Sequence, residues 1–527
     1  MPASTARSST EARTAVERGR DVVAEARRAT ADVGPLLRLR ISGLAGSTKR
    51  RLGLLGVLVG MLTLVAATVP AWGPGAGSGD RAQNLLLFMP SAYLGVLFIA
   101  VVSATASGGG RELLARDEAV AFPVSPTTDH LGSLLMAPLN VAWLLQAWVV
   151  LGATAYVLGP ERLLLVQLPV VLWIAVATAG AQVVAWSFEW LRRTAHGGLA
   201  TGILLGLLAA LAVTAVAAGA VTGFLDRAPT VRIVLLSLAG RNGDWAAYAG
   251  GLGVLAALAL VLVVLGAVPA HRAARRAPHE ETALETSHHP ARPLPGSDLR
   301  MVLRIDRAGI WRSVPLRRGV AVLALIPGGV ALAGGLGWDM LLIMPGLVAS
   351  GGALLFGVNA WCLDGRGGLW RETLPLSPRL GLVSRAIVLI ELLVGATVGT
   401  LLLASLRAGV PSLAELVALV SVTAVVAMMV TARVLQWSVE RPYATDLRSA
   451  RATPAPPTAM FGYSIRLAAA TTMVSLLFTG VVELGDWRLP LLVAVPFLLF
   501  STRRLVKVAR AWEDHPTRAR VLATVAG

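Results

Sequence analysis

Twelve apolar segments, most of them about twenty residues long, restrict the folds that are open to this sequence. A helix of that length crosses the ~30 Å hydrocarbon layer of a membrane at 1.5 Å per residue. The strands of a membrane barrel would instead alternate in polarity over about ten residues, a pattern that this sequence lacks. We therefore predict an all-α polytopic membrane protein with about twelve transmembrane helices. The predicted spans lie near residues 52–72, 84–105, 131–158, 163–190, 199–222, 247–270, 319–338, 340–362, 381–406, 411–438, 463–483 and 486–502.

Positive charge is distributed unevenly among the loops between these spans. The 47 lysines and arginines give a net charge of +17 against 30 acidic residues. In a soluble chain this excess would suggest nucleic acid, but here the arginines concentrate in alternate loops, as in the cytoplasmic loops of membrane proteins. We expect both termini in the cytoplasm, membrane lipids as surroundings and no nucleic-acid partner. Lysine occurs only at Lys49 and Lys507 beside abundant arginine, alanine and glycine, which indicates a GC-rich bacterial genome and hence a bacterial plasma membrane.

A stretch rich in charge and proline divides the chain into two halves. Its first part, from residue 271, has no apolar periodicity and predicts a flexible cytoplasmic linker. The predicted organisation is a cytoplasmic tail with a basic interface segment at 1–51, a six-span unit at 52–270, the linker with a second interface segment at 271–318, a second six-span unit at 319–502, and a cytoplasmic tail at 503–527.

The two halves share short motifs that recur in the same order. The pairs are Leu39-Arg40-Ile41 with Leu303-Arg304-Ile305, LLLFMP at 85–90 with MLLIMP at 340–345, Trp186-Ser187-Phe188-Glu189 with Trp437-Ser438-Val439-Glu440, and Gly243-Asp244-Trp245 with Gly485-Asp486-Trp487. Because each predicted unit has an even number of spans, the repeats would be parallel. We expect two parallel six-helix repeats with a pathway between them, an architecture that is typical of transporters.

A polar loop follows the second span of each predicted unit. The copies read RELLARDEAVAFPVSP at 111–126 and RETLPLSP at 371–378. In the longer copy, charged and apolar residues are interleaved as in a short amphipathic helix, which would dock into a cleft of a cytoplasmic protein. The prolines would end this helix and the serine would cap the next span. An amphipathic loop that rests on the lipid headgroups is the alternative. The candidate docking residues are Arg111, Glu112, Arg116, Asp117, Glu118, Pro123, Ser125, Pro126, Trp370, Arg371, Glu372, Pro375, Ser377 and Pro378.

Motifs that would indicate catalysis are missing from the sequence. It has no nucleotide-binding loop, no zinc-protease helix and no hydrolase nucleophile elbow, so we expect no enzymatic activity, no directly bound cofactor and no metal. Cys362 is the only cysteine, which excludes an intrachain disulfide. Glu391 and Arg433 lie within predicted spans and are candidates for an intramembrane pair with a functional role. A structural ion pair, or a glutamate that faces a vestibule, is the alternative.

The six-span unit, its basic leading segment and the loop sequences RETLPLSPRLGLVSRA (371–386) and PVSPTTDHLGSL (123–134) resemble ABC-2-type transporter permeases, with two permease units fused in one chain. The first copy departs from the family pattern because no basic residue follows its second proline. The resemblance implies that Arg111–Phe122 and Leu369–Leu374 are coupling segments, which contact a separate cytoplasmic ATPase present in two copies. ATP would act through that partner, and export is the expected direction. The resemblance also implies a short element before the last span, for which residues 226–242 are the candidate in the first half.

Three other functions remain open on the sequence alone. A secondary carrier of the major-facilitator type also has six plus six spans, and Asp364-Gly365-Arg366-Gly367 is similar to a loop motif of that family, although the first half has no counterpart. A membrane-embedded lipid-modifying enzyme would need a catalytic cluster at an interface. A membrane scaffold that transports nothing would not require the internal duplication.

Overall fold

The chain is described by a computed structural model for residues 24–25, 27–39, 42, 46–106, 124–220, 223, 227–276, 293–356, 359–365, 367–444, 455 and 457–526. Within these residues every regular element is a helix, which confirms the predicted all-α class. The chain forms two compact units, residues 1–287 and 288–527, and each has an apolar core of its own. The boundary between the units falls inside the predicted linker.

Unit 1 begins, in its described part, with helical residues at 27–39. The helices that follow are α1 (Gly46–Thr68), α2 (Asp80–Ala106), α3 (Pro126–Leu135), α4 (Val141–Leu158), α5 (Leu163–Arg192), α6 (Gly197–Ala217), α7 (Val231–Asn242) and α8 (Trp245–Ala274). The longest of them, α5 and α8, have 30 residues each and pack against each other through the core. At 1.5 Å per residue each is about 45 Å long and exceeds the hydrocarbon thickness.

Short turns lie together at one end of unit 1. It is called here the opposite end, because it lies away from the basic end that is described next. The Gly77 amide donates to the carbonyl of Tyr156 at 2.9 Å, which places the α1–α2 turn beside the end of α4. The backbones meet so closely there that a Cβ on Gly77 would lie 3.2 Å from the Cα of Gly159, and Gly77 also has a positive φ of 77°. Arg241 pairs with Glu161 at 3.2 Å, so the α7–α8 turn lies at this end as well.

Basic residues gather at the other end of unit 1, called here its basic end. A guanidinium nitrogen of Arg193, just after α5, donates to the carbonyl of Ala273 near the end of α8 at 2.7 Å. The hydroxyl of Thr127 in the first turn of α3 donates to Glu25 at 3.0 Å. Helix α5 therefore runs from the opposite end to the basic end, and α3 starts at the basic end.

Helix α7 does not traverse unit 1. Just before it, the hydroxyl of Thr230 donates to the carbonyl of Pro90 in the interior of α2 at 2.7 Å. Pro90 lies ten residues after the start of α2, or about 15 Å from the opposite end by helical rise. From that depth α7 returns to the opposite end at Asn242, with Ile233 and Leu236 buried in the core. The candidate element at 226–242 is therefore a short helix that enters the unit from the opposite end only.

Unit 2 begins, in its described part, with an amphipathic helix. Its helices are α9 (Asp298–Arg312), α10 (Val314–Gly334), α11 (Trp338–Leu341), α12 (Met344–Phe356), α13 (Gly367–Arg371), α14 (Pro378–Ala408), α15 (Leu413–Glu440), α16 (Pro457–Val482), α17 (Arg488–Glu513) and α18 (His515–Ala526). Helices α9 and α10 meet at 80°. If α10 crosses the membrane, α9 lies along its surface, as expected of an interface segment.

The two ends of unit 2 are distinguished in the same way. At its opposite end, the indole nitrogen of Trp338 donates to the carbonyl of Gly409 at 3.0 Å, so the turns after α10 and α14 are neighbours. At its basic end, the amide of Asn359 donates to the carbonyl of Tyr443 at 2.7 Å, which places the loop after α12 beside the end of α15. Helices α13 and α18 lie at this basic end, because α14 starts there and α17 ends there.

Apolar side chains cover much of the outer surface of both units. Only 6% of the apolar stretch of α1 and 11% of that of α8 are buried inside the structure. Surfaces of this kind require a hydrocarbon solvent, so the protein is a multi-pass membrane protein. Eight helices of the described chain are long and apolar enough to cross a membrane, and the bent pair α9–α10 makes a ninth. The full count of twelve stays a prediction.

Three predicted span boundaries need correction. The third span, 131–158, is broken into α3 and α4 at Pro138, which has no amide hydrogen to continue a helix. The eighth, 340–362, ends as a helix at Phe356, and residues 359–362 belong to a loop. The twelfth, 486–502, continues as α17 to Glu513, and the predicted tail beyond it contains α18.

Candidate functional site

The two polar loops differ in how far they can be described. In the first, Ser125 and Pro126 start α3, and the hydroxyl of Ser125 accepts a hydrogen bond from the Thr128 amide at 3.1 Å. The predicted cap is confirmed at this position. The remaining predicted docking residues of this loop lie outside the described residues; they are Arg111, Glu112, Arg116, Asp117, Glu118 and Pro123.

The second loop forms the short helix α13 and a turn. Residues 367–377 are called here the coupling segment, after the role that the resemblance predicts for Leu369–Leu374 within them. Its apolar tip faces outward, since Leu369 is 48% and Trp370 is 65% exposed. After the helix the Thr373 hydroxyl donates to the Trp370 carbonyl at 2.7 Å and closes the turn. Ser377 precedes α14 but its side chain makes no capping bond, so the predicted cap is wrong here. Pro375 and Pro378 flank this serine and keep the backbone before α14 out of a helix.

Four charged side chains meet beneath the coupling segment. Arg371 of α13 donates to Asp306 of α9 at 3.0 Å. Arg385 of α14 donates to both carboxylate oxygens of Asp364, at 2.8 and 2.7 Å, and lies 3.2 Å from Asp306. The Ser384 hydroxyl donates to the second oxygen of Asp306 at 2.6 Å. The network thus joins α9, the loop before α13, α13 itself and α14.

Burial and charge balance explain why these groups are ionised. The side chains of Asp306 and Arg385 are 1% and 2% exposed, so each charge has lost its water. Two carboxylates face two guanidinium groups, and buried charges are tolerated only when paired in this way. Burial alone would raise the pKa of Asp306, but the charges of Arg385 and Arg371 and the Ser384 hydrogen bond outweigh it and hold that pKa below its usual range.

The two C-terminal helices, α17 and α18, contact the network and the coupling segment. The indole of Trp512, at the end of α17, stacks on Trp361 with ring centres 4.1 Å apart and planes 3° from parallel. Arg385 lies on the same Trp361 ring, 5.3 Å from its centre. Arg518 of α18 donates to Glu372 of the coupling segment at 2.7 Å. Two neighbouring residues of the segment, Arg371 and Glu372, are therefore held by different helices.

The predicted intramembrane pair is replaced by another one. Glu391 accepts a hydrogen bond from Arg307 of α9 at 2.9 Å. Arg433 lies on a different helix, α15. The prediction failed because α9 lies along the first turns of α14 and supplies a nearer cation. Both side chains of the observed pair are more than 40% exposed, which agrees with a structural ion pair.

Unit 1 carries a different set of contacts at its basic end. Glu189 pairs with Arg193 at 3.0 Å, and His271 lies 2.7 Å from Glu25. By the shared motifs, Asp306 corresponds to Ser42 and Arg385 to Ser133. The charge network of unit 2 therefore has no equivalent at these two positions of unit 1.

Within the described residues, no three histidine, cysteine, aspartate or glutamate side chains come together as metal ligands. Cys362 is buried, and its surroundings raise the pKa of its thiol to about 12. Comparison of the chain with protein-family models, with curated proteins and with solved structures gives no match.

Sequence reasoning overlooked several residues of this site, namely Asp306, Arg385, Trp512 and Arg518. Arg385 carried a signal, because it is one of two charged residues, with Glu391, in an apolar segment that was predicted to span the membrane. For α18 the signal was the helical spacing of Val521, Leu522 and Val525, which are all buried. Asp306 and Trp512 stand among other polar and aromatic residues, and nothing in their local sequence distinguishes them.

Proposed function

We propose that this protein is the membrane-spanning subunit of an ABC transporter, with two permease units fused in one chain. A separate ATPase, present in two copies, would hydrolyse ATP and bind at the basic ends of the units. Export of a substrate is the direction that we favour. On this proposal the basic ends and both termini face the cytoplasm of a bacterium, and the chain itself binds no nucleotide.

The coupling segment is the observation that carries this proposal. It exposes Leu369 and Trp370 at the surface of the basic end of unit 2. Large exposed apolar side chains on a well-anchored segment are typical of a protein-binding site. An aromatic tip of this kind suits an apolar cleft on the ATPase.

The anchoring of the segment supports a role in transmitting force. Arg371 ties it to Asp306 of α9, and Arg385 ties the loop before it to α14. Salt bridges between buried groups have few alternative geometries, so a displacement of the segment would move α9 and the start of α14 with it. A loop resting loosely on lipid headgroups would need no such network.

Helix α7 gives independent support in unit 1. The resemblance to ABC-2 permeases implies a short element before the last span, and α7 is a helix that enters from the opposite end and returns. Unit 2 has only a few residues between α16, which ends at Val482, and α17, which begins at Arg488. If α7 forms part of a gate, that gate belongs to unit 1.

Site-specific crosslinking tests the proposal. A Leu369→Cys variant that is purified from native membranes should crosslink to a co-purified ATPase. The matched control is Val410→Cys, because Val410 is 95% exposed and lies at the opposite end of α14. The native Cys362 does not interfere, since a buried thiol with a raised pKa reacts slowly.

Two results would contradict the proposal. One is a purified protein that never contains an ATPase and gives equal, background crosslinking at both positions. The other is transport that a protonophore abolishes while ATP is held constant, because a secondary carrier would behave in that way.

A further inference from the structure

Helix α18 holds the half of the coupling segment that α9 does not reach. The Arg518 guanidinium donates to Glu372 at 2.7 Å, and a second nitrogen donates to the carbonyls of Trp512 and Glu513 at 3.1 and 3.2 Å. Its side chain is 9% exposed, against 36% for Glu372. Arg518 therefore links the end of α17 to the coupling segment, and its charge is largely withdrawn from water.

Apolar contacts fix α18 in the same place. Val521, Leu522 and Val525 are buried in the core of unit 2. Leu522 packs so closely on α13 that a Cβ on Gly368 would lie 3.1 Å from it. This approach is tighter than side chains normally allow, so a glycine at this position permits α13 to lie directly on α18.

Three consecutive residues of the segment consequently face three different surroundings. Trp370 faces outward, Arg371 is held by Asp306, and Glu372 is held by Arg518. Successive residues of a helix point about 100° apart, so fixing two of them also fixes the direction of the third. Loss of the Glu372 contact would leave the segment held on one side only.

We propose that α18 is a positioning element for the coupling segment, and that Arg518 sets the orientation in which Leu369 and Trp370 meet the partner. This inference rests on the proposed function, since it assigns the presentation of that docking surface to the C-terminal helix. It predicts that the segment becomes mobile, while the membrane-spanning helices stay folded, when the contact between Arg518 and Glu372 is removed.

Hydrogen exchange measures the positioning directly. In the full-length protein, Glu372→Gln should speed the exchange of amides in residues 367–377 about tenfold, because a charge-assisted hydrogen bond no longer opposes local opening. This variant leaves the bonds of Arg518 to the Trp512 and Glu513 carbonyls in place. Arg518→Gln should produce the same increase. The control is Arg520→Gln on the same helix, whose side chain bonds the Val439 carbonyl and not the segment. Unchanged exchange in both test variants overturns the inference.

A second readout separates positioning from mere packing. Leu369→Cys crosslinking to the ATPase should fall in the Glu372→Gln background and stay unchanged in the Arg520→Gln background. If crosslinking persists at full yield in Glu372→Gln, the positioning role is wrong and the proposed function stands. If exchange rises as expected but no ATPase crosslinks to Leu369→Cys even when Glu372 and Arg518 are both present, the proposed function is wrong. This inference then falls with it.

Discussion

Arg385 shows how a single buried charge organises the basic end of unit 2. It contacts Asp364 and Asp306, and lies over the ring of Trp361. A single guanidinium nitrogen makes these contacts: it donates to both oxygens of Asp364 and lies 3.2 Å from Asp306. The charge placed between the two carboxylates therefore holds the network together.

Arg385→Gln should destabilise unit 2 by about 3 kcal/mol, because it leaves Asp306 and Asp364 with Arg371 as their one remaining cation in the network. The measurement is thermal or denaturant unfolding of the detergent-solubilised protein. Arg379→Gln is the matched control, since Arg379 is six residues away on α14, pairs with Glu513 and is 68% exposed. Its loss should cost less than about 1 kcal/mol. Equal effects of the two substitutions would show that the buried network contributes no more than a surface pair.

Helix α14 illustrates what an apolar pattern indicates and what it omits. Its 31 residues span about 46 Å, half as long again as the hydrocarbon layer. Contacts with α9 reach Ser384, Arg385 and Glu391 in the first half of α14. The sequence predicted one span at 381–406 and placed Glu391 deep inside it. The observed partner of this glutamate is Arg307 of α9, a residue outside every predicted span.

The exposed pair between Arg307 and Glu391 should therefore be weak. A double-mutant cycle with Arg307→Gln and Glu391→Gln should give a coupling free energy of about 0.2–1 kcal/mol. Unfolding of the four proteins in detergent measures it, and transport in vesicles should change little in any variant. Complete loss of transport in Glu391→Gln alone, with normal stability, would show that this glutamate has a functional role within the membrane.

Elements were predictable from the sequence where the information was local. Apolar runs located the long helices, and Ser125 was recognised as a cap from its place before Pro126 and Thr128. The charge network was not predictable, because Asp306, Asp364 and Arg385 are far apart in the chain and many other arginines could have paired with them. The position of α18 was not predictable either: the spacing of Val521, Leu522 and Val525 indicates a helix, but Gly368, against which Leu522 packs, lies far earlier in the chain.

At the scale of the molecule, the two units share motifs in the same order but not the residues of the charge network. Unit 2 ties its coupling segment to α9, α14 and α18, whereas unit 1 has serines where two of the network residues would be. Unit 1 instead carries α7, for which unit 2 has no room. Fusion of two units in one chain permits this divergence, because each half can specialise without a second copy having to change with it.

The number of membrane passes is the property of the whole molecule that most needs a test. In unit 1, the contact between Gly77 and Tyr156 places the end of α4 at the opposite end, and the contact between Arg193 and Ala273 returns α5 to the basic end. We therefore expect α3 and α4 together to make one pass, although neither is long enough alone.

Single reporter cysteines at Glu161, whose side chain is 70% exposed, and at Thr194 test this expectation in right-side-out vesicles that are treated with a membrane-impermeant maleimide. Six passes in unit 1 place Glu161 on the outer face and Thr194 on the inner face, so of these two only Glu161→Cys should react before the vesicles are opened. If α3–α4 and α6 do not cross, these two positions exchange sides and the result is reversed. The control is Gly75→Cys in the α1–α2 turn, which lies outside under either count because α1 and α2 both cross.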